Sequence, residues 1–332
     1  TWLLGQRGGL ARGAPRLAAP QRSATTLECV PGGATGDALP GKDAMELVSR
    51  LDSVNDVTSD QLRQYQATHA EGDYVIVDVR EPEEYRAGHL PGARLMPLSE
   101  LDAHGEELRG LGERTVVFYC RSGGRSTRAS AWAKSTLGLP RIANLLGGYS
   151  GYQGVTLPEF PPLRLLDGAG SAQVQLLQAL DLEKGTHRFY LAMVENFEPG
   201  PIPELFSRLA TAELEHGRIV HGLWRRLGTD RGATEEFEAT FAALSGRLIE
   251  SGEALAAVVA RAAALGNDGA LGALELALEV ELTAYDLYKN AAEITGDPAA
   301  RAALLELAQQ EKQHAQAILG ALARMAPTTD AE

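Results

Sequence analysis

Cys120 stands in a setting that makes a thiol reactive. The segment Val116-Val117-Phe118-Tyr119-Cys120-Arg121-Ser122-Gly123-Gly124-Arg125-Ser126 reads as a buried strand ending in a cysteine, then a glycine-containing loop, then the start of a helix. Such a loop points successive backbone N–H groups into one concavity, and the helix N-terminus behind it adds positive potential. Arg121 and Arg125 bring full charges. Each effect favours thiolate over thiol, so Cys120 is expected to be a nucleophile at neutral pH, with Arg121, Ser122, Gly123, Gly124 and Arg125 forming its substrate-binding loop. A free cysteine is often only a small buried hydrophobe. A cationic, glycine-rich turn is not what such a packing site calls for.

A second set of residues repeats. Glu183 is followed by Glu213-Leu214-Glu215-His216, and Glu281 by Glu311-Lys312-Gln313-His314. Each lone Glu precedes its Glu-x-x-His by 30 residues, and all three positions recur at an offset of 98. Tyr190 and Tyr288 each follow the lone Glu by seven. On a helix, Glu and His three apart lie about 60° apart on one face. Four helices would bring four carboxylates and two imidazoles into one interior, one Glu from each of two helices and Glu-x-x-His from the others, which is the di-iron carboxylate arrangement. Carboxylate oxygen with imidazole suits two iron ions, or manganese. One Glu-x-x-His is expected by chance in a Glu-rich helical chain; two with matched spacings are not. Nor is a metal-free relic attractive, because six ionisable groups facing a core are costly without a cation.

The elements that carry these residues follow from pattern. From residue 43 to about 154, short apolar runs alternate with helical stretches. Tyr74–Asp78, Thr115–Tyr119 and residues 142–146 read as strands, with helices near 82–87, 98–108 and 125–137 between them. Thr58-Ser59-Asp60-Gln61 reads as a capping box opening a helix through Ala67. After Pro158, Pro161 and Pro162 the strand signals vanish, and helices are expected at about 170–197, 202–227, 235–264, 268–294 and 298–325. Pro201, Pro203 and Pro298 suit helix starts, Gly228 and Gly296 helix ends. The expected architecture is therefore a multidomain α/β plus all-α chain. It has an N-terminal segment 1–41 without fixed structure, a small parallel-sheet domain 42–156, a linker 157–167, a four-helix bundle 168–326 and a tail 327–332.

Bulk properties narrow the partners. The net charge of −13 argues against a nucleic-acid partner. From Gly168 onward 24 acidic residues face 13 basic ones, so most of the negative charge lies in the helical half, where a solvated surface explains most of it and a hard-cation site would use the rest. No apolar run approaches the roughly 18–20 residues of a membrane span. Two cysteines, Cys29 and Cys120, cannot build a disulfide framework or a four-cysteine metal site, and a reducing, cytoplasmic setting is simplest. Residues 1–41, with Arg7, Arg12, Arg16, Arg22 and no acidic residue before Glu28, suit an organelle transit peptide, a disordered tail or upstream sequence outside the working protein. The remaining histidines read as ordinary, although His187, one turn after Glu183, is spaced for a supporting role.

From about Ser53 to Gly154 the chain resembles the rhodanese family. The likeness rests on Asp78-Val79-Arg80-Glu81-Pro82-Glu83-Glu84-Tyr85, Gly88-His89-Leu90-Pro91-Gly92-Ala93, the Cys120 loop and the closing Leu146-Gly147-Gly148-Tyr149-Ser150-Gly151-Tyr152. The resemblance implies that Cys120 carries a sulfane sulfur as a persulfide held by loop amides, and that Asp78, Arg80 and His89 are structural. The loop from Cys120 to Arg125 has six residues; related phosphatases and arsenate reductases use one more, so sulfur rather than phosphorus is the expected target. From about Ser171 to Arg324 the chain resembles the rubrerythrin branch of the ferritin-like superfamily, on both Glu-x-x-His pairs and on Glu183…Phe189-Tyr190 and Glu281…Leu287-Tyr288. Residues 235–264 look like the crossover such a fold needs. The four-cysteine iron site that rubrerythrins commonly add is missing, so an external electron donor is implied and peroxidase activity is in doubt.

The expected function is a sulfurtransferase that forms a Cys120 persulfide from a small sulfane-sulfur donor and passes it to a thiol acceptor, with a di-iron domain of redox or metal-handling role alongside. The alternatives are a di-iron oxidoreductase acting on peroxide, oxygen or a sulfur compound, and a non-enzymatic sulfur or iron sensor. No nucleic-acid or membrane partner is expected, and the resemblance to ferritin-like bundles, which often pair, implies a homodimer.

Overall fold

The computed structural model describes residues 55–166, 172–227, 236–264 and 269–325. All of them belong to one unit, residues 42–332. The expectations for residues 1–41, the tail 327–332, Cys29 and the helix end at Gly228 fall outside the described residues.

Five strands, β1 (Asn55–Val57), β2 (Tyr74–Asp78), β3 (Ala93–Leu95), β4 (Thr115–Tyr119) and β5 (Ile142–Leu145), form one sheet in the order β1-β5-β4-β2-β3, every pair parallel. Every residue of β2 and β4 is buried, as their continuous apolar runs require of strands covered on both faces. The edge strands β1 and β3 are three residues each, too short to show a periodicity, and the sequence reading passes over them. The helices of this domain are α1 (Ser59–Thr68), α2 (Pro82–Ala87), α3 (Gly105–Arg109), α4 (Gly124–Trp132) and α5 (Gly148–Gly151). The capping box at α1 is formed: Gln61 N–H donates to Thr58 Oγ1 at 3.2 Å, and Thr58 N–H to Gln61 Oε1 at 2.9 Å.

The second half begins with α6 (Ala172–Glu195) and α7 (Pro201–Leu227), continues through two short helices, α8 (Phe237–Ala243) and α9 (Leu255–Ala263), and ends with α10 (Gly269–Ile294) and α11 (Pro298–Met325). The four long helices pack as α6 against α7 and α10 against α11, with α7 also on α11. Asp297 caps α11, its Oδ1 accepting from Ala299 and Ala300 N–H, both at 2.8 Å. The single crossover helix expected over 235–264 is not present. Residues 244–254 instead form a tight turn closed by an antiparallel bridge between Leu248 and Ala254, with Gly246 (φ 52°) and Gly252 (φ 81°) in the left-handed region that ends helices. No described helix is long and apolar enough to cross a membrane.

The bundle meets the sheet domain through α10 and α11. Buried Glu71 lies between Lys289 and Lys312, each Nζ 2.7 Å from one of its oxygens, and also accepts from the hydroxyls of Tyr74 (2.5 Å) and Tyr285 (3.1 Å). Asp286 receives Gly92 N–H at 2.7 Å and lies 3.1 Å from His89 Nε2. Arg114 pairs both guanidinium arms with Glu293, at 2.9 and 2.6 Å. Gly92 is glycine for a reason: a Cβ there would fall 2.7 Å from the Tyr285 ring. Tyr74 opens β2, while Gly92 and Arg114 immediately precede β3 and β4, so the bundle sits at the N-terminal ends of the strands. Cys120 follows the C-terminal end of β4, a five-residue strand that spans about 16 Å.

Candidate functional site

Cys120 directly follows β4, and its side chain is almost wholly buried. The loop is held from behind by the glycine pair that opens α5. Tyr149 N–H donates to Cys120 O at 2.8 Å and Ser150 N–H to Arg121 O at 2.9 Å. A Cβ on Gly148 would lie 2.2 Å from Cys120 O, so only glycine permits this contact. Gly123 N–H points at Cys120 Sγ at 3.1 Å, and Ser126 Oγ lies 3.5 Å from it. Burial works to raise the thiol pKa, but the Ser126 hydroxyl and the N–H groups of Ser126, Ser122 and Gly123 outweigh it and leave Cys120 below its ordinary value.

The two arginines are placed differently. Arg125 is neighbour to Cys120, but both guanidinium arms are committed to Glu84, at 2.6 and 2.8 Å. Its hydrogen bonds hold the Glu84 carboxyl at about 2. The Arg121 side chain is exposed. The group that sequence reasoning passed over is Ser126, in the first turn of α4; a hydroxyl one turn into the helix behind a reactive cysteine was a readable signal. Asp78, Arg80 and His89 brace the domain. Arg80 pairs with Asp78, donates to Gly88 O at 2.7 Å and stacks 4.3 Å over the Tyr149 ring, while His89 serves the contact to the bundle.

In the bundle, Glu183 on α6, Glu213 and His216 on α7, Glu281 on α10 and Glu311 and His314 on α11 converge. Ligand atoms of Glu183, Glu213, His216 and Glu311 lie within 4.8 Å of one another, and so do those of Glu213, Glu281, Glu311 and His314. Glu213 and Glu311 belong to both groups, so two cation positions would share two bridging carboxylates. His216 Nδ1 lies 2.9 Å from Glu311, 3.3 Å from Glu213 and 3.5 Å from Glu183. His314 Nδ1 lies 3.2 Å from Glu281 and 3.3 Å from Glu311. The two imidazoles stack with centroids 5.1 Å apart. The tyrosines cross between the repeats: Tyr190 donates to Glu281 and Tyr288 to Glu183. His187 takes no part; its Nδ1 faces Ala210 O at 2.7 Å.

This layer separates two apolar clusters, one around Phe189, Phe206, Leu274 and Ile318, the other around Leu180, Val220, Leu287 and Leu307. Burial and the neighbouring Glu311 carboxylate push Glu213 well up, and burial pushes Glu281 up to about 7. Burial opposes charge on the histidines too, but Glu311 and Glu213 drive His216 up, and Glu281 drives His314 up to about 11. Even so, Glu183 Oε2, both oxygens of Glu213 and Glu311 and both nitrogens of His216 are buried with no hydrogen-bond partner. Buried polar atoms are rarely left this way. Hard oxygen and imidazole donors, orphaned and converging, fit a pair of iron or manganese ions. A further carboxylate that the sequence reading missed, Glu250 in the 244–254 turn, is fully buried beside this layer.

Known proteins divide the chain at the same place. Residues 61–154 match the family model of the rhodanese-like domain, and residues 175–322 that of rubrerythrin. A protein called sulfurtransferase from Allochromatium vinosum is 35% identical over 109 residues, 33% of this chain and 97% of that one. The uncharacterized protein YqhL of Bacillus subtilis is 39% identical over 79 residues, 24% of this chain; the match spans 60% of YqhL's length. Among solved structures, a rhodanese-related protein from Thermoplasma volcanium is 26% identical, covering 32% of this chain and 99% of that chain at a TM-score of 0.27.

Proposed function

This chain belongs to the rhodanese-like proteins through its first domain and to the rubrerythrins through its second, and from that premise we propose that it is a sulfurtransferase whose Cys120 forms a persulfide, joined to a di-iron centre. The observation that carries the reading is the Cys120 pocket: a buried sulfur facing a ring of N–H groups and a serine hydroxyl. The thiolate attacks the outer sulfur of a donor such as thiosulfate. The S–S bond of the donor breaks, sulfite leaves with the bonding pair, and Cys120 carries the sulfur as a persulfide anion. The loop amides stabilise that anion as they stabilise the thiolate. A thiolate acceptor then takes the terminal sulfur and Cys120 leaves as thiolate, so no outside oxidant or reductant is needed.

Glu183, Glu213, His216 and Glu311 would hold one metal ion of the second domain, and Glu213, Glu281, Glu311 and His314 the other. When bound, two iron ions supply one-electron redox chemistry. Tyr190 and Tyr288 fix the orientation of Glu281 and Glu183 by donating to them. The second half, residues 168–332, holds no cysteine, so a redox role for this centre would draw electrons from a donor outside these residues. Cys120 and the bundle lie at opposite ends of the strands, so a small molecule, rather than Cys120 itself, would carry sulfur between the two sites.

The test is sulfur transfer from thiosulfate to cyanide, and from a persulfide to a thiol, by the wild type and Cys120→Ser. The variant is expected to lose transfer; unchanged turnover refutes the proposal. Metal content after anaerobic purification and iron reconstitution tests the second site, with two iron ions per chain expected.

A further inference from the structure

The strongest unexplained feature is Glu250. It lies in the turn of the crossover segment, where loops ordinarily face solvent, yet it and Ile249 are both 0% exposed. Neither Glu250 oxygen has a hydrogen-bond partner. An unpaired buried carboxylate costs several kcal/mol unless something compensates it.

The fold goes to some length to place it there. Leu255 N–H donates to Arg247 O at 2.8 Å and Ile249 N–H to Glu253 O at 3.0 Å, which closes the turn. Glu250 N–H donates to Thr186 Oγ1 at 3.4 Å, one turn beyond Glu183 on α6. At Gly185 a Cβ would fall 1.8 Å from Leu248 O, so glycine on α6 is what lets the turn come in. The polar groups that act on Glu250 are Glu183, Glu311, Glu213 and the Tyr288 hydroxyl. Glu183, and Tyr288 that donates to it, belong to the Glu183–His216 end of the layer, whereas Glu213 and Glu311 are shared by both ends. Among the described residues, the Glu281–His314 end has no such additional buried, unpartnered carboxylate.

We propose that Glu250 is an additional ligand to the cation held by Glu183, Glu213, His216 and Glu311, and that it makes the two metal positions unequal. This rests on the di-metal reading above. Glu250 is not among the groups gathered within 4.8 Å, so it closes onto the cation from just beyond them when metal enters. That position then has four carboxylates and an imidazole, against three carboxylates and an imidazole at the Glu281–His314 position. The position with more anionic ligands holds its divalent ion more tightly and fills first.

The experiment is an anaerobic titration of the metal-free full chain with Mn(II), followed by calorimetry and electron paramagnetic resonance, on wild type and Glu250→Gln. The wild type is expected to bind two ions in two steps. In the variant the first step should weaken by at least about tenfold while the second is unchanged. A variant that binds both ions as the wild type does overturns the role of Glu250 and leaves the di-metal reading standing. A wild type that binds no Mn(II) overturns both. Should the variant fail to fold, a crystal of Mn(II)-soaked wild type decides. A Glu250 oxygen within about 2.3 Å of the ion supports the assignment, and one beyond about 3.5 Å overturns it.

Discussion

Lys289→Met tests how the two halves of the chain are joined. Lys289 is 1% exposed and donates to Glu71 Oε2 at 2.7 Å, to Glu71 O and to Tyr74 O. Burial holds its ammonium below the ordinary lysine value. Burial also works to raise the Glu71 carboxyl, but Lys289 and Lys312 outweigh it and keep that group below the usual carboxylate range. The two tendencies differ in sign for ionisation; the geometry, one carboxylate between two ammonium groups, favours the charged cluster. Replacing Lys289 with an apolar side chain of similar length leaves Glu71 Oε2 with only the Tyr285 hydroxyl, and breaking a buried pair in this way costs about 3–5 kcal/mol. At about 2–4 °C per kcal/mol for a protein of this size, the melting temperature should fall by about 10 °C. Circular dichroism gives the melt, and Trp132 in the sheet domain and Trp224 in the bundle give separate fluorescence probes. A cycle with Glu71→Gln isolates the pair, and coupling of at least about 1 kcal/mol is expected because the residues touch. A Lys289→Met protein melting within about 2 °C of wild type, with no coupling to Glu71, would refute the reasoning.

Two further outcomes follow from the sites. Ser126→Ala removes the hydroxyl nearest Cys120 Sγ, so the midpoint of the pH profile for alkylation of Cys120 should move up and sulfur transfer at pH 7 should slow by about tenfold, the equivalent of one charge-assisted hydrogen bond; an unmoved midpoint refutes the role given to Ser126. In the metal-free protein, Glu281 is raised from 4.5 to about 7 and His314 from 6.5 to about 11, so the folded state holds these protons more tightly than the unfolded one. Their contribution is fully present below the unfolded values and is lost as pH rises through about 7 and then about 11, so the metal-free melting temperature should fall between pH 5 and pH 9. Metal ions displace the same protons, so the rise in melting temperature on adding Mn(II) should grow over that interval; a metal-free melt that climbs with pH contradicts the assignment.

Local pattern was enough to read much of this protein. A cysteine after a five-residue apolar strand, followed by Gly123-Gly124 and a helix, is contiguous in sequence, so the Cys120 loop is legible from the sequence alone. The six repeated Glu and His positions were legible because helix geometry is regular: residues three or seven apart share a face wherever the helix sits. Tertiary structure decided the rest. The crossover composition is as helical as its neighbours, and only the close approach of Leu248 to Gly185 turns it inward and buries Glu250. Arg125 reads as a partner of the sulfur alone, but in the fold it is shared with Glu84, 41 residues earlier. The joint between the domains depends on Glu71 meeting Lys289 and Lys312 across more than 200 residues of chain. Periodicity reports how a residue faces its own element. Which charge or backbone atom lies opposite is fixed only when elements distant in sequence pack, and the energy of a buried ionisable group depends on that neighbour.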